Sequence, residues 1–283
     1  MSEPDRGAWF DRFISPEIRA KAARLDHDVG PLGVDPFGFE PSSIRYAAAP
    51  MAWLYRSYFR CVTQGIENVP DGRVLLVSNH SGQLPFDGLM IACAMILERE
   101  PPRMVRSMVE RWVPRLPYVS IALARLGQVV GTPENCRRLL AHEEAILVFP
   151  EGVRGLSKTF DRRYRLARFG TGFMRLALEM NTPIVPVSVV GAEEQAPAMV
   201  NLQGLARALG MPALPITPTF PLLGPVGLLP LPTRYRITFG AAMNFLGSGH
   251  EEDAVIRPYI EQVRATVQDL VDRSLADRQG VFV

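Results

Sequence analysis

Two short runs of uninterrupted apolar residues constrain this chain more than any other feature. Val74-Leu75-Leu76-Val77 and Ile146-Leu147-Val148-Phe149 contain no polar side chain, and each gives way at once to a polar segment. A run of that length bounded by turns fits a strand buried on both faces, as in a parallel sheet. Pro183–Val190 reads as a third such strand and Gln128-Val129-Val130 as a short one. Between them the apolar residues recur at helical spacing. Phe86, Leu89, Met90, Cys93, Ile96 and Leu97 share one face, and Thr132-Pro133-Glu134 is a strong cap opening a helix to about His142. Further helices are predicted over about Met104–Leu126, over Phe173–Met180 and over Glu251–Arg278. Strands alternating with helices imply an α/β fold, a mostly parallel central sheet covered by helices on both faces.

The 283 residues fit one large domain or two small ones. The reading adopted is an amphipathic and loop extension over 1–45, then a single α/β domain over 46–283. With 47% apolar and 21% charged residues the chain is ordinary globular material. Its 31 basic and 29 acidic residues leave +2, too little for a nucleic-acid binder working through bulk charge. Cys61, Cys93 and Cys136 lie far apart with no CxxC pair, which fits a reducing compartment. The opening residues lack the charged-then-apolar layout of a signal peptide, so a cytoplasmic location is expected. Segment 208–233 carries no charge and is long enough to cross a bilayer, but its seven prolines exclude a straight spanning helix. Near the start, Trp9, Phe10, Phe13 and Ile14 would share a helical face, and Ser15-Pro16-Glu17 caps a helix. From Ser42 to Arg60 a helix carries Tyr46, Trp53, Tyr55, Tyr58 and Phe59 beside Arg45, Arg56 and Arg60. Packing onto the body explains both stripes first; contact with a lipid boundary is the functional alternative.

In an open α/β sheet ligands gather beyond the carboxyl ends of the strands, and two of those ends are unusually polar here. The first runs Ser78-Asn79-His80-Ser81-Gly82-Gln83-Leu84-Pro85-Phe86-Asp87. Alone, His80 reads as a hydrogen-bonded structural residue and Asp87 as a first-turn helix carboxylate. Together they can form a base with its orienter, the recurring arrangement that activates a hydroxyl nucleophile. The second end is Phe149-Pro150-Glu151-Gly152-Val153-Arg154, where glycine permits close backbone approach and a guanidinium matches phosphate oxygens. Over 154–168, Arg154, Lys158, Arg162, Arg163, Arg165 and Arg168 face only Asp161, a net +5. That is either a solvated loop or a site for an anionic partner, phospholipid headgroups or a phosphorylated carrier. His27, His142 and His250 read as surface residues. The chain has no GxSxG elbow, no zinc helix and no P-loop, and no metal is expected.

Four pieces, taken in order, resemble the lysophospholipid acyltransferase family, which includes the glycerol-3-phosphate and lysophosphatidate acyltransferases. They are Gly65–Pro70, Asn79-His80 with Asp87, Phe149–Arg154 and Pro183–Val187, and the resemblance spans about 46–200. It implies a glycerolphosphate acyltransferase-like fold in which His80 is the base, Asp87 its partner, and Glu151, Gly152 and Arg154 bind the acceptor. Lys158, Arg162, Arg163 and Arg165 would add favourable charge for the acyl donor or the headgroup. It implies transfer of a fatty acyl group from an acyl thioester, on coenzyme A or an acyl carrier protein, to a lipid hydroxyl. Beyond that co-substrate it implies no cofactor, and it places the protein peripherally at a membrane surface. Two features depart from the usual pattern. Six residues rather than four separate His80 from Asp87, and Val153 stands where threonine is common. The longer turn and Gly131-Thr132-Pro133-Glu134-Asn135 resemble the monoacylglycerol and diacylglycerol acyltransferase-like branch. Segment 208–233 would then cap an acyl channel or dip into one leaflet. A catalytically silent lipid-binding protein on the same fold, and a thioesterase or lipase, are the competing readings.

Overall fold

The computed structural model describes residues 15–25, 29–80, 86–115, 117–156, 158–202, 204 and 215–283. Trp9, Phe10, Phe13, Ile14, His27, residues 81–85 and residues 205–214 lie outside the described residues.

In chain order the elements begin with helices α1 (Pro16–Ala23) and α2 (Pro41–Trp53), strands β1 (Val62–Gln64) and β2 (Val74–Ser78), helix α3 (Phe86–Leu97) and strand β3 (Val105–Val109). Helix α4 (Val119–Arg125), strand β4 (Val129–Val130), helix α5 (Pro133–Ala141), strand β5 (Ala145–Val148), the single turn α6 (Val153–Leu156) and helix α7 (Gly172–Glu179) follow. The chain closes with β6 (Ile184–Val190), β7 (Val200–Asn201), β8 (Pro215–Ile216), β9 (Arg236–Phe239) and α8 (Asp253–Ala276). Seven strands form one sheet in the order β1-β9-β6-β2-β5-β3-β4, and β7 and β8 form a separate pair. Only β6 and β9 run antiparallel within the large sheet.

The sheet buries both faces, which is why its strands read as continuous apolar runs. Val74 and Leu76 of β2 meet α2, α3, Tyr55 and Phe59 on one side. Leu75 and Val77 meet α5, α7 and α8 on the other. The caps form as expected: the Ser15 hydroxyl accepts from the Ile18 N–H, and the Thr132 hydroxyl from the Asn135 N–H.

The continuous helix expected over 104–126 is not there. Val105–Val109 is strand β3, paired between β5 and β4, and only Val119–Arg125 is α-helical. Arg106 hides the strand, because it puts a full charge in the middle of a buried run. Its guanidinium is wholly buried in an ion pair with Asp35, Nη2 to Oδ2 2.7 Å, and lies over the rings of Phe37 and Phe39. Asp35 in turn accepts the N–H groups of Phe37 and Phe39, so the segment before α2 is strapped across the sheet.

Candidate active site

β2 and β6 are adjacent and parallel, and β5 flanks β2 on its other side. The residues that follow these three strands therefore share one edge of the sheet. Asn79 and His80 follow β2, Phe149–Gly152 follows β5, and Gly191–Gln195 follows β6. This edge is where an open parallel sheet binds ligands.

Asn79 fixes the first loop. Its Nδ2 donates to the Val189 carbonyl (2.9 Å), and its Oδ1 accepts the Val189 N–H (2.8 Å), so the side chain ties the end of β2 to β6. The next residue, His80, is nearly buried. Its Nδ1 lies 2.7 Å from Asp87 Oδ2, and Asp87 is itself fully buried in the first turn of α3. The other Asp87 oxygen accepts the Gly88 N–H at 2.7 Å. The imidazole stacks on Phe149, with ring centres 4.2 Å apart. With Nδ1 engaged, Nε2 is the nitrogen left for a substrate proton, and the carboxylate fixes that tautomer.

Glu151 is 1% exposed, and its carboxylate is committed to the protein. Oε1 accepts the His80 backbone N–H (3.0 Å); Oε2 accepts the Ala167 N–H (2.7 Å) and lies 3.4 Å from Lys158 Nζ. The turn just after it is closed by Gly152, whose φ of +56° lies in the left-handed region that glycine adopts without strain.

Lys158 departs from the expectation that it faces an anionic ligand. Its side chain is 9% exposed and pairs with Glu193 at 2.9 Å as well as with Glu151. A cation this deeply buried needs carboxylate partners, and Glu193 and Glu151 supply them. Burial pushes the Glu193 carboxyl above its ordinary range, against the opposing pull of Lys158. Arg154, Arg162, Arg163, Arg165 and Arg168 are exposed, with Arg163 held over the Phe160 ring at 4.2 Å. The structure thus splits the basic segment into one buried lysine and a set of surface arginines.

Sequence reasoning missed two parts of the site. Gly155 packs so closely that a Cβ there would sit 2.8 Å from His80 Cβ and 3.0 Å from Glu151 Cβ. The acidic pair Glu193-Glu194 is buried behind the histidine loop. Glu194 takes a bidentate contact from Arg278 and accepts from the Tyr164 hydroxyl at 2.7 Å, while that hydroxyl accepts the Gly191 N–H at 2.8 Å. Two carboxylates directly after a strand buried on both faces were the available signal, because such groups demand cations and donors.

The same sheet edge carries an apolar cleft of about 340 Å³ at the ends of β3 and β4, lined among others by Phe37, Val109, Ile121, Leu123 and Val130. Its volume falls at the lower end of ordinary ligand pockets. Among the described residues no three His, Cys, Asp or Glu side chains converge as a metal site requires. Nor is any helix among them long and apolar enough to cross a membrane.

Comparisons with known proteins bear on this geometry. Residues 60–190, which hold His80, Asp87 and the 149–154 loop, match the acyltransferase family model. An uncharacterised protein of Mycobacterium tuberculosis is 41% identical over 89% of this chain and 72% of its own length. A probable 1-acyl-sn-glycerol-3-phosphate acyltransferase of Mycoplasma pneumoniae is 29% identical over 53% of the chain and 57% of its own. A chicken protein described as a DGAT1/2-independent enzyme synthesizing storage lipids is 25% identical over 55% of the chain and 46% of its own. In fold, the chain is similar to the crystal structure of the 1-acyl-sn-glycerophosphate acyltransferase PlsC from Thermotoga maritima. The TM-score is 0.51, with 16% identity over 84% of this chain and 83% of that one. The chain belongs to the acyltransferase family whose model its residues 60–190 match.

Proposed function

We propose that this acyltransferase moves a fatty acyl group from an acyl thioester to the hydroxyl of a lysophospholipid or neutral glycerolipid, with His80 as the general base. The observation that carries the proposal is the 2.7 Å contact between His80 Nδ1 and buried Asp87, on a sheet edge that also holds an apolar cleft. Nε2 of His80 takes the proton of the acceptor hydroxyl as its oxygen attacks the thioester carbonyl carbon. The carbon–sulfur bond breaks, and the leaving thiolate recovers that proton from the imidazolium. Asp87 stabilises the imidazolium between the two steps, and no bond to the enzyme is needed.

Glu151 acts here by position: its carboxylate holds the His80 backbone. Gly152 closes the turn that brings Glu151 to that backbone, and Arg154 is the residue of this loop available for an acceptor headgroup. The apolar cleft takes the acyl chain of the donor, coenzyme A or acyl carrier protein bearing its thioester end. A lipid acceptor places the protein peripherally at the cytoplasmic face of a membrane.

The test is the purified protein with labelled acyl-coenzyme A, then acyl carrier protein, against lysophosphatidate, other lysophospholipids, monoacylglycerol, diacylglycerol and fatty alcohols, with products read by mass. The proposal predicts a new ester on one or more acceptors. Free fatty acid without a new ester would establish hydrolysis instead. Lipid binding without turnover on any acceptor would mark a silent member of the family.

A further inference from the structure

The chain leaves the catalytic edge after β6 and does not return to the sheet until β9. Because β6 lies beside β2 and parallel to it, the lobe between them stands on the same edge as His80. Its described surface is apolar. Leu222 is 84% exposed and Leu229 66%, and Met199, Val200, Leu223 and Val226 are exposed with them. Large apolar side chains concentrated on one lobe mark an interaction surface.

Hydrogen bonds join this lobe to two flanks. On one, the Tyr58 hydroxyl donates to the Pro230 carbonyl (2.6 Å), and exposed Trp53 lies against Tyr58 with ring centres 5.5 Å apart. On the other, the Phe160 N–H donates to the Ala198 carbonyl (2.9 Å), beside Met199. Phe160 opens the surface arginines: after the exposed Asp161 come Arg162 and Arg163, with Arg165 two residues later. The lobe carries no acid to oppose those arginines, since no Asp or Glu falls between Glu194 and Glu251. An apolar centre, an exposed tryptophan and an arginine margin whose one acid is Asp161 complement the acyl region, the interface and the phosphates of an anionic bilayer.

We propose that the lobe surface formed by residues 196–202 and 215–230, with Trp53 and the Arg162–Arg165 band, is the face by which this protein docks on anionic membranes, turning the His80 edge toward the lipid. The inference rests on the reading that the acceptor is a lipid, but its test does not depend on turnover. Full-length protein is sedimented with phosphatidylcholine vesicles, with and without phosphatidylglycerol, over a series of salt concentrations. Wild type should bind the phosphatidylglycerol vesicles more strongly and be released by salt. Leu222→Glu with Leu229→Glu should lower partitioning at least about tenfold, since each leucine loses its transfer into the apolar layer and gains a charge. Arg162→Glu with Arg163→Glu should lower it by roughly fivefold or more and flatten the salt dependence.

Circular dichroism and melting matching wild type show that the leucine variant is folded, as expected for exposed positions. With a short-chain acceptor dispersed below its aggregation limit, that variant should turn over at the wild-type rate and slow only on vesicles. Wild-type turnover absent on every acceptor, with vesicle binding intact, would overturn the enzymatic reading alone. Vesicle binding unchanged in the leucine variant, or equal on both lipid compositions at all salt concentrations, would overturn the docking face. Loss of a solution oligomer in the leucine variant with vesicle binding intact would assign the lobe to a protein partner and overturn the proposal too.

Discussion

At the scale of single residues, the candidate base is held by the acid behind it: Asp87 is fully buried, with its Oδ2 2.7 Å from His80 Nδ1. His80 and Asp87 stand out because a histidine and a carboxylate close together after a buried strand have few structural duties to share. Lys158 turns toward Glu193, 35 positions away, a partner that no local pattern connects to it. Gly155 was invisible for a similar reason. Its need arises only where α6 closes on the histidine loop, and Gly155→Ala tests that closeness. A Cβ 2.8 Å from His80 Cβ forces the ring or the turn to move. Misplacement of that order costs a reaction roughly 10- to 100-fold. The expected result is a fall in kcat of that size with a melting temperature close to wild type; unchanged kcat would show that the loop relaxes freely.

Among the elements, the strands buried on both faces declared themselves and the mixed ones did not. β2, β5 and β6 hold their apolar runs because helices cover both sides. β3 carries Arg106, and its Val105 and Val109 are also spaced as on one helical face, so the segment imitated a helix. β9 alternates Arg-Ile-Thr-Phe in only four residues, and β1 has three, too few for a periodic signal. What holds the histidine loop to the sheet is a side chain rather than a ladder: Asn79 gives both of its amide contacts to Val189. Asn79→Ala removes both contacts and leaves the Val189 N–H and carbonyl without the amide inside the fold. A loss of about 1–3 kcal/mol is expected, read as a lower denaturant midpoint at unchanged slope. A midpoint equal to wild type would mean that the clamp contributes nothing to stability.

For the molecule as a whole, topology does what no single motif does. The order β6-β2-β5-β3 puts the ends of four parallel strands on one edge. That edge gathers the His80–Asp87 pair, the Glu151 loop, the apolar cleft and the lobe that follows β6. Alternation of strands and helices forecast this edge. The strap before α2, pinned by Asp35 to Arg106, could not be forecast, since it rests on a long-range ion pair inside the core.

The central claim is that His80 and Asp87 act as one unit on the acceptor proton. The most direct measurement is the rate of ester formation by wild type, His80→Ala, Asp87→Ala and the double variant, each shown to be folded. Loss of the base should cost about 10²–10⁴-fold, and the double variant should be no slower than His80→Ala, because partners in one proton transfer are not additive. Wild-type turnover by His80→Ala, or a double variant slower by the product of the two single losses, would contradict the account.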